Sequence, residues 1–154
     1  MVILLRIIVD ADACPGKEVI ERAARESSIE VIMYCDTNHI LSSEYSTIIY
    51  ADSGYQSVDM KIVNAVEPDD IVITQDFGVA AMVLPKKVYA INPKGNIYSN
   101  ENIERLLFER HISQKVRKGG GKTSNHKKRN SNDNDRLYVS LKRIIEGKEK
   151  QSIK

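Results

Sequence analysis

At 154 residues the chain is long enough to bury one continuous core and short enough to be a single domain. Its two cysteines, Cys14 and Cys35, and the lack of a signal-peptide pattern speak against a disulfide-stapled secreted scaffold and for a cytoplasmic location. The N-terminal apolar run is too short to cross a bilayer, so no membrane partner is expected. The net charge of +2 hides a division: residues 1–110 carry 10 Lys+Arg against 17 Asp+Glu, a net of −7, while residues 111–154 carry 13 against 4, a net of +9. An acidic body with a basic tail points to contact with nucleic acid or another anionic surface.

Ile3-Leu4-Leu5-Arg6-Ile7-Ile8-Val9 reads as a strand buried on both faces, and it runs into Asp10-Ala11-Asp12-Ala13-Cys14-Pro15. Residues 18–27 put Val19, Ile20, Ala23 and Ala24 on one helical stripe. A second strand, residues 30–35, ends at Asp36, and a third, residues 46–51, ends at Asp52; the link between them is too short for a crossover helix, so an irregular loop is expected. From Ser57 the pattern is helical through Val58, Ile62, Val63 and Val66, and it stops at Pro68. A fourth strand, residues 71–74, exits through Gln75-Asp76-Phe77-Gly78 into a small-residue helix, and a fifth, residues 88–91, closes on the turn Asn92-Pro93-Lys94-Gly95-Asn96. A long amphipathic helix starts near Asn100, runs through Ile103, Leu106, Leu107 and Ile112, and frays near Gly119. The last helix, residues 133–149, has Leu137, Val139, Leu141, Ile144 and Ile145 as its apolar residues. The alternation predicts an α/β domain over residues 1–118, with a mostly parallel sheet of about five strands and helices on both faces. A glycine-rich basic linker over residues 119–131, expected to be mobile, and a C-terminal helix over residues 132–150 complete the chain.

Ligands of open α/β sheets bind beyond the carboxyl ends of the strands, where the winding direction reverses. Asp10 and Asp12 leave the first strand there and Asp76 leaves the fourth; with the first strand central the three meet, and Asp59, in the first turn of a following helix, faces the same crevice. Side chains two apart on an extended segment point the same way, so Asp10 and Asp12 aim into one volume, where two negative charges need a cation or a proton between them. An oxygen-only donor set without a His/Cys cluster favours Mg²⁺ or Mn²⁺ over zinc. Each acid also has a structural reading. Asp12 can begin a turn and cap the first helix, with Pro15 at its first position, and Asp36 and Asp52 can be strand-end turn residues. Asp69 and Asp70 belong to a turn at the opposite end of the sheet, and His39, His111 and His126 join no motif. Cys14 is either a small buried residue or a low-pKa thiol at a helix N-terminus.

The string Val9-Asp10-Ala11-Asp12-Ala13-Cys14-Pro15 is followed in order by Arg22-Ala23-Ala24, Gly54-Tyr55 with Asp59, and Ile71-Val72-Ile73-Thr74-Gln75-Asp76. Ala80-Ala81, Asn92-Pro93-Lys94-Gly95 and Asp135-Arg136 complete the series. Over nearly its whole length the chain thereby resembles the YaiI/YqxD family of uncharacterised bacterial proteins. That family is similar to PIN-like domains, typically Mg²⁺- or Mn²⁺-dependent nucleases that often act on RNA. The resemblance implies an acidic metal site made of Asp10, Asp12, Asp59 and Asp76. Two departures stand out: Gln56 occupies a position where relatives often carry an acid, and their Gly-Gly-Pro segment is replaced here by Thr123-Ser124-Asn125-His126-Lys127-Lys128-Arg129.

The expected function is a metal-dependent phosphodiesterase acting on RNA or single-stranded nucleic acid, with the four aspartates as its catalytic and metal residues. Lys115, Arg117, Lys118, Lys122, Lys127, Lys128 and Arg129 would draw the polyanion towards an otherwise repulsive crevice, or else form a solvated linker. Two further functions stay open: a phosphohydrolase with Asp10 as nucleophile and Asp12 as general acid, and a non-catalytic RNA-binding module.

Overall fold

The fold is seen in a computed structural model that describes residues 5–12, 14–38, 40–51, 57–120 and 128–153. Five strands, β1 (Arg6–Asp10), β2 (Glu30–Asp36), β3 (Thr47–Ala51), β4 (Ile71–Ile73) and β5 (Tyr89–Ile91), form one sheet in the order β3-β2-β1-β4-β5. Every neighbouring pair is parallel, as the strand-helix alternation predicts. β1 is central, so the winding reverses beside it.

The strands read as apolar runs because both faces of the sheet are covered, and the side-chain period of two divides their residues between two cores. Ile7, Val9, Val31, Met33, Cys35, Ile71 and Ile73 face α1 (Lys17–Glu26) and α5 (Ser131–Ile153). Ile8, Ile32, Tyr34, Val72 and Ala90 face α2 (Val58–Ala65), α3 (Phe77–Val83) and α4 (Asn100–Lys118). Residues 37–46, between β2 and β3, contain no helix or strand among those described, as their length predicts. Leu41 and Tyr45 pack from this loop onto the α1 side, and the Ser43 and Ser46 hydroxyls donate to the Glu21 carboxylate.

The first helix does not start at Pro15: α1 begins at Lys17, because Gly16 precedes it in a left-handed conformation, φ +84°, that ends the extended loop. The C-terminal helix packs onto the domain. Leu137, Leu141 and Ile145 are fully buried and fill the core between α1 and the sheet, whereas Val139, expected on the apolar side, is exposed. The linker also shortens. Arg129 and Asn130 are part of the α5 start, where Asn130 and Asp133 exchange side-chain-to-backbone hydrogen bonds as a capping box; residues 121–127 lie outside the described residues.

At the amino ends of the strands Arg6 clamps the buried Asp70, with Nε to Oδ1 at 3.1 Å and Nη2 to Oδ2 at 2.6 Å, tying β1 to the start of β4. Lys148 of α5 pairs with Asp69 there. These two acids serve the fold at the end of the sheet opposite the crevice, as the sequence places them.

Candidate active site

Alternation along β1 sends Asp10 to the same face as Ile8, and along β4 it sends Thr74 to the same face as Val72. The two meet across the β1–β4 seam. The Thr74 hydroxyl is fully buried; it accepts the Asp76 backbone N–H at 3.0 Å and donates to Asp10 Oδ2 at 2.9 Å. A hydroxyl has one proton to give, so the bond from Asp76 leaves that proton for Asp10 and fixes which carboxylate oxygen receives it. The Thr74 carbonyl in turn accepts from the buried Tyr98 hydroxyl at 3.0 Å.

Asp76 is the N-cap of α3: its Oδ1 accepts from the Gly78 N–H at 2.7 Å and the Val79 N–H at 3.4 Å, and Arg110 Nη1 lies 3.4 Å from the same oxygen. Among the described residues none of these donors goes to Oδ2. Asp12 does not cap α1, whose start has no side-chain cap; both its oxygens instead accept the Asp36 backbone N–H at 3.2 Å, tying the loop after β1 to the end of β2. Asp59 lies in the first turn of α2, behind the Ser57 cap. Asp36 accepts from the Asn38 N–H, a turn role, and Asp52 and His39 lie outside the described residues.

All four predicted aspartates line one cavity of about 750 Å³ beyond the carboxyl ends of β1 and β4. Burial raises the Asp10 carboxyl to about 6; the Thr74 hydrogen bond opposes this, and the charges of Asp59, Asp12 and Asp76 add to it. Burial also raises Asp59, with the charges of Asp76 and Asp12 acting the same way. Both shifts disfavour the ionised forms of two acids that share the cavity with Asp12 and Asp76. Cys14 is not part of it as a nucleophile: the thiol is buried, and burial pushes it up to about 11.

α4 supplies another part of the cavity wall. Leu106, Arg110, Ser113 and Arg117 recur at helical spacing and line the cavity with Glu109 and Gln114. Sequence reading took α4 for its apolar stripe and missed Arg110; the signal was a second, polar stripe at the same period. Thr74 was missed as an orienting residue because a lone threonine at a strand end carries no pattern.

A family model described as the uncharacterised YaiI/YqxD family matches residues 8–147. The chain belongs to the YaiI/YqxD family. A UPF0178 protein of Clostridium novyi is 60% identical over 149 residues, covering 96% of this chain and 100% of its own. A UPF0178 protein of Clostridium tetani is 63% identical over 147 residues, covering 96% and 100%. Among solved structures, Rae1 (YacP) from Bacillus subtilis is similar with a TM-score of 0.41 and 12% identity, covering 89% of this chain and 91% of that one.

The cationic residues assigned to the polyanion divide. Lys115, Arg117 and Lys118, on the last turns of α4, and Lys128 are exposed, and Arg117 reaches the cavity wall. Lys122 and Lys127 lie outside the described residues. Arg129 is used inside the YaiI/YqxD fold: Nε and Nη2 donate to Asn134 Oδ1 at 3.0 and 2.7 Å, and Nη1 donates to the Pro93 carbonyl at 2.7 Å. No helix among the described residues is long and apolar enough to cross a membrane.

Proposed function

We propose that the chain is a divalent-metal-dependent phosphodiesterase acting on RNA or single-stranded nucleic acid. One observation carries the reading: four carboxylates line a single cavity at the reversal point of the sheet, and two arginines of α4 line it with them. An acid floor suits a hard cation and an arginine wall suits phosphate.

Among the described residues no three His, Cys, Asp or Glu side chains stand close enough to ligate one ion. The donor set fits Mg²⁺ or Mn²⁺ in its hydrated form, held directly by one or two carboxylates and through water by the others. Asp10 and Asp76 are the direct ligands of this proposal, since each has an oxygen that its described hydrogen bonds do not use; Asp12 and Asp59 act through water. Such an ion supplies an acidified water and neutralises charge on the scissile phosphate. Thr74 keeps Asp10 turned into the cavity, and Arg110 and Arg117 draw the phosphate backbone over the acids. Lys115, Lys118 and Lys128 extend the positive surface away from the site.

A phosphohydrolase working through an Asp10 phospho-enzyme needs a lysine on the phosphate, and the described cavity lining holds arginines but no lysine. The reading is tested by incubating the purified chain with short end-labelled RNAs in Mn²⁺ and in EDTA, beside Asp10→Asn. Cleavage in Mn²⁺ alone, lost in the variant, is expected. RNA bound tightly by both proteins and never cut would replace it with the binding-module reading.

A further inference from the structure

Arg110 lies half exposed on α4, with Nη1 3.4 Å from Asp76 Oδ1. That oxygen is already seated by the Gly78 N–H at 2.7 Å, so the arginine is not what orients Asp76. The contact is longer than a tight guanidinium–carboxylate bond and both partners reach solvent, which makes it easy to exchange. The nearest acid on the same helix, Glu109, is paired with Arg105. A guanidinium that leaves Asp76 keeps its charge, and its planar fork matches two phosphate oxygens. Ser113 and Arg117 follow on the same cavity-facing stripe, Arg117 about 10 Å further along the helix axis.

Resting on the phosphodiesterase reading, we propose that Arg110 exchanges partners. It neutralises Asp76 in the metal-free protein and grips a backbone phosphate of the nucleic acid once a divalent cation takes that carboxylate. Arg110 then couples the two ligands. By linkage the cation raises the affinity for the polyanion, and the polyanion raises the affinity for the cation by the same factor.

The test compares the full-length wild type with Arg110→Gln and Arg110→Lys, using Mn²⁺ alone by calorimetry and a short 2′-O-methyl oligonucleotide by fluorescence anisotropy, in EDTA and in Mn²⁺. Without oligonucleotide, Arg110→Gln is expected to bind Mn²⁺ several-fold more tightly than wild type, because a competing cation is gone. Its oligonucleotide affinity is expected to match wild type in EDTA and to fall about tenfold below it in Mn²⁺, with the salt slope reduced by about one in Mn²⁺ only. Arg110→Lys, which keeps the charge without the fork, should retain the wild-type Mn²⁺ affinity and lose part of the oligonucleotide affinity. Mn²⁺ binding that is unchanged or weaker in Arg110→Gln, or oligonucleotide binding weakened equally with and without Mn²⁺, would overturn the exchange. A wild type that binds no Mn²⁺ overturns the metal reading and the exchange together, whereas one that binds it identically to Arg110→Gln overturns the exchange alone.

Discussion

Thr74 and Asp10 form the contact on which the site turns. Thr74→Val keeps the volume but removes an acceptor for the Asp76 N–H and a donor to Asp10, and buried polar groups left unpaired cost about 1–3 kcal/mol. Thr74→Val should therefore lower the urea midpoint and raise the Asp10 carboxyl further, while Thr74→Ser should leave the Asp10 carboxyl in place and lose only about 1 kcal/mol for the buried methyl. Asp10→Asn should have the opposite effect on stability. The folded-state carboxyl titrates near 6 against 3.8 for the unperturbed group, so the folded chain binds the extra proton between those values and wild-type stability falls as pH rises through 6. In EDTA, denaturation is expected to show no difference between the two proteins near pH 3 and an advantage for Asp10→Asn on the order of 2–3 kcal/mol above pH 7. An Asp10→Asn chain less stable than wild type at pH 8 would contradict this. That Asp10, Asp12 and Asp76 share a cavity was legible in the sequence because strand parity and the strand-end rule apply to acids at known places, whereas Asp59 was placed by its position in the first turn of a helix and by the family resemblance. Thr74 and Arg110 were not legible, since each acquires its role only through a neighbour on another element.

At the scale of elements, the helices were legible, but the last was expected from residue 132 and starts at Ser131, with Asn130, expected in the linker, as its cap. Ser57, Asp76, Ser99 and Asn130 sit just before α2, α3, α4 and α5, and each accepts a backbone N–H from the first turn. The exception is α1, where a proline predicted the start and a left-handed glycine sets it two residues later. The docking of α5 was also hidden, because it depends on a turn far away in sequence. Gly95 has φ +86°, and a Cβ there would lie 2.6 Å from the Arg136 backbone, so the turn of residues 92–96 meets α5 main chain to main chain. Gly95→Ala is expected to cost about 2–3 kcal/mol. Arg129→Ala removes the hydrogen bonds to Asn134 and Pro93 and, being structural, should lower the melting temperature while leaving RNA affinity in the surviving folded protein unchanged. A selective loss of RNA affinity at unchanged stability would return Arg129 to the binding surface.

Across the whole molecule, the charge division seen in composition becomes spatial on α4. The helix lines the acidic cavity with Arg110 and Arg117 and ends in the exposed Lys115 and Lys118, so the positive region begins at the site. Composition revealed the asymmetry but not this placement, which follows from α4 lining the cavity that holds Asp10, Asp12 and Asp76. Replacing Lys115, Lys118 and Lys128 together by alanine should weaken RNA binding at low salt and flatten the log–log salt dependence by about 2, with Mn²⁺ affinity unaltered. An unchanged slope would leave these lysines as a solvated surface.

Whether the acidic crevice holds a divalent cation is decided by titrating Mn²⁺ into wild type and Asp10→Asn by calorimetry. Saturable binding by wild type, lost in an Asp10→Asn protein that is folded and at least as stable, is the predicted result. No binding by wild type at millimolar Mn²⁺, or equal binding by both proteins, would contradict it.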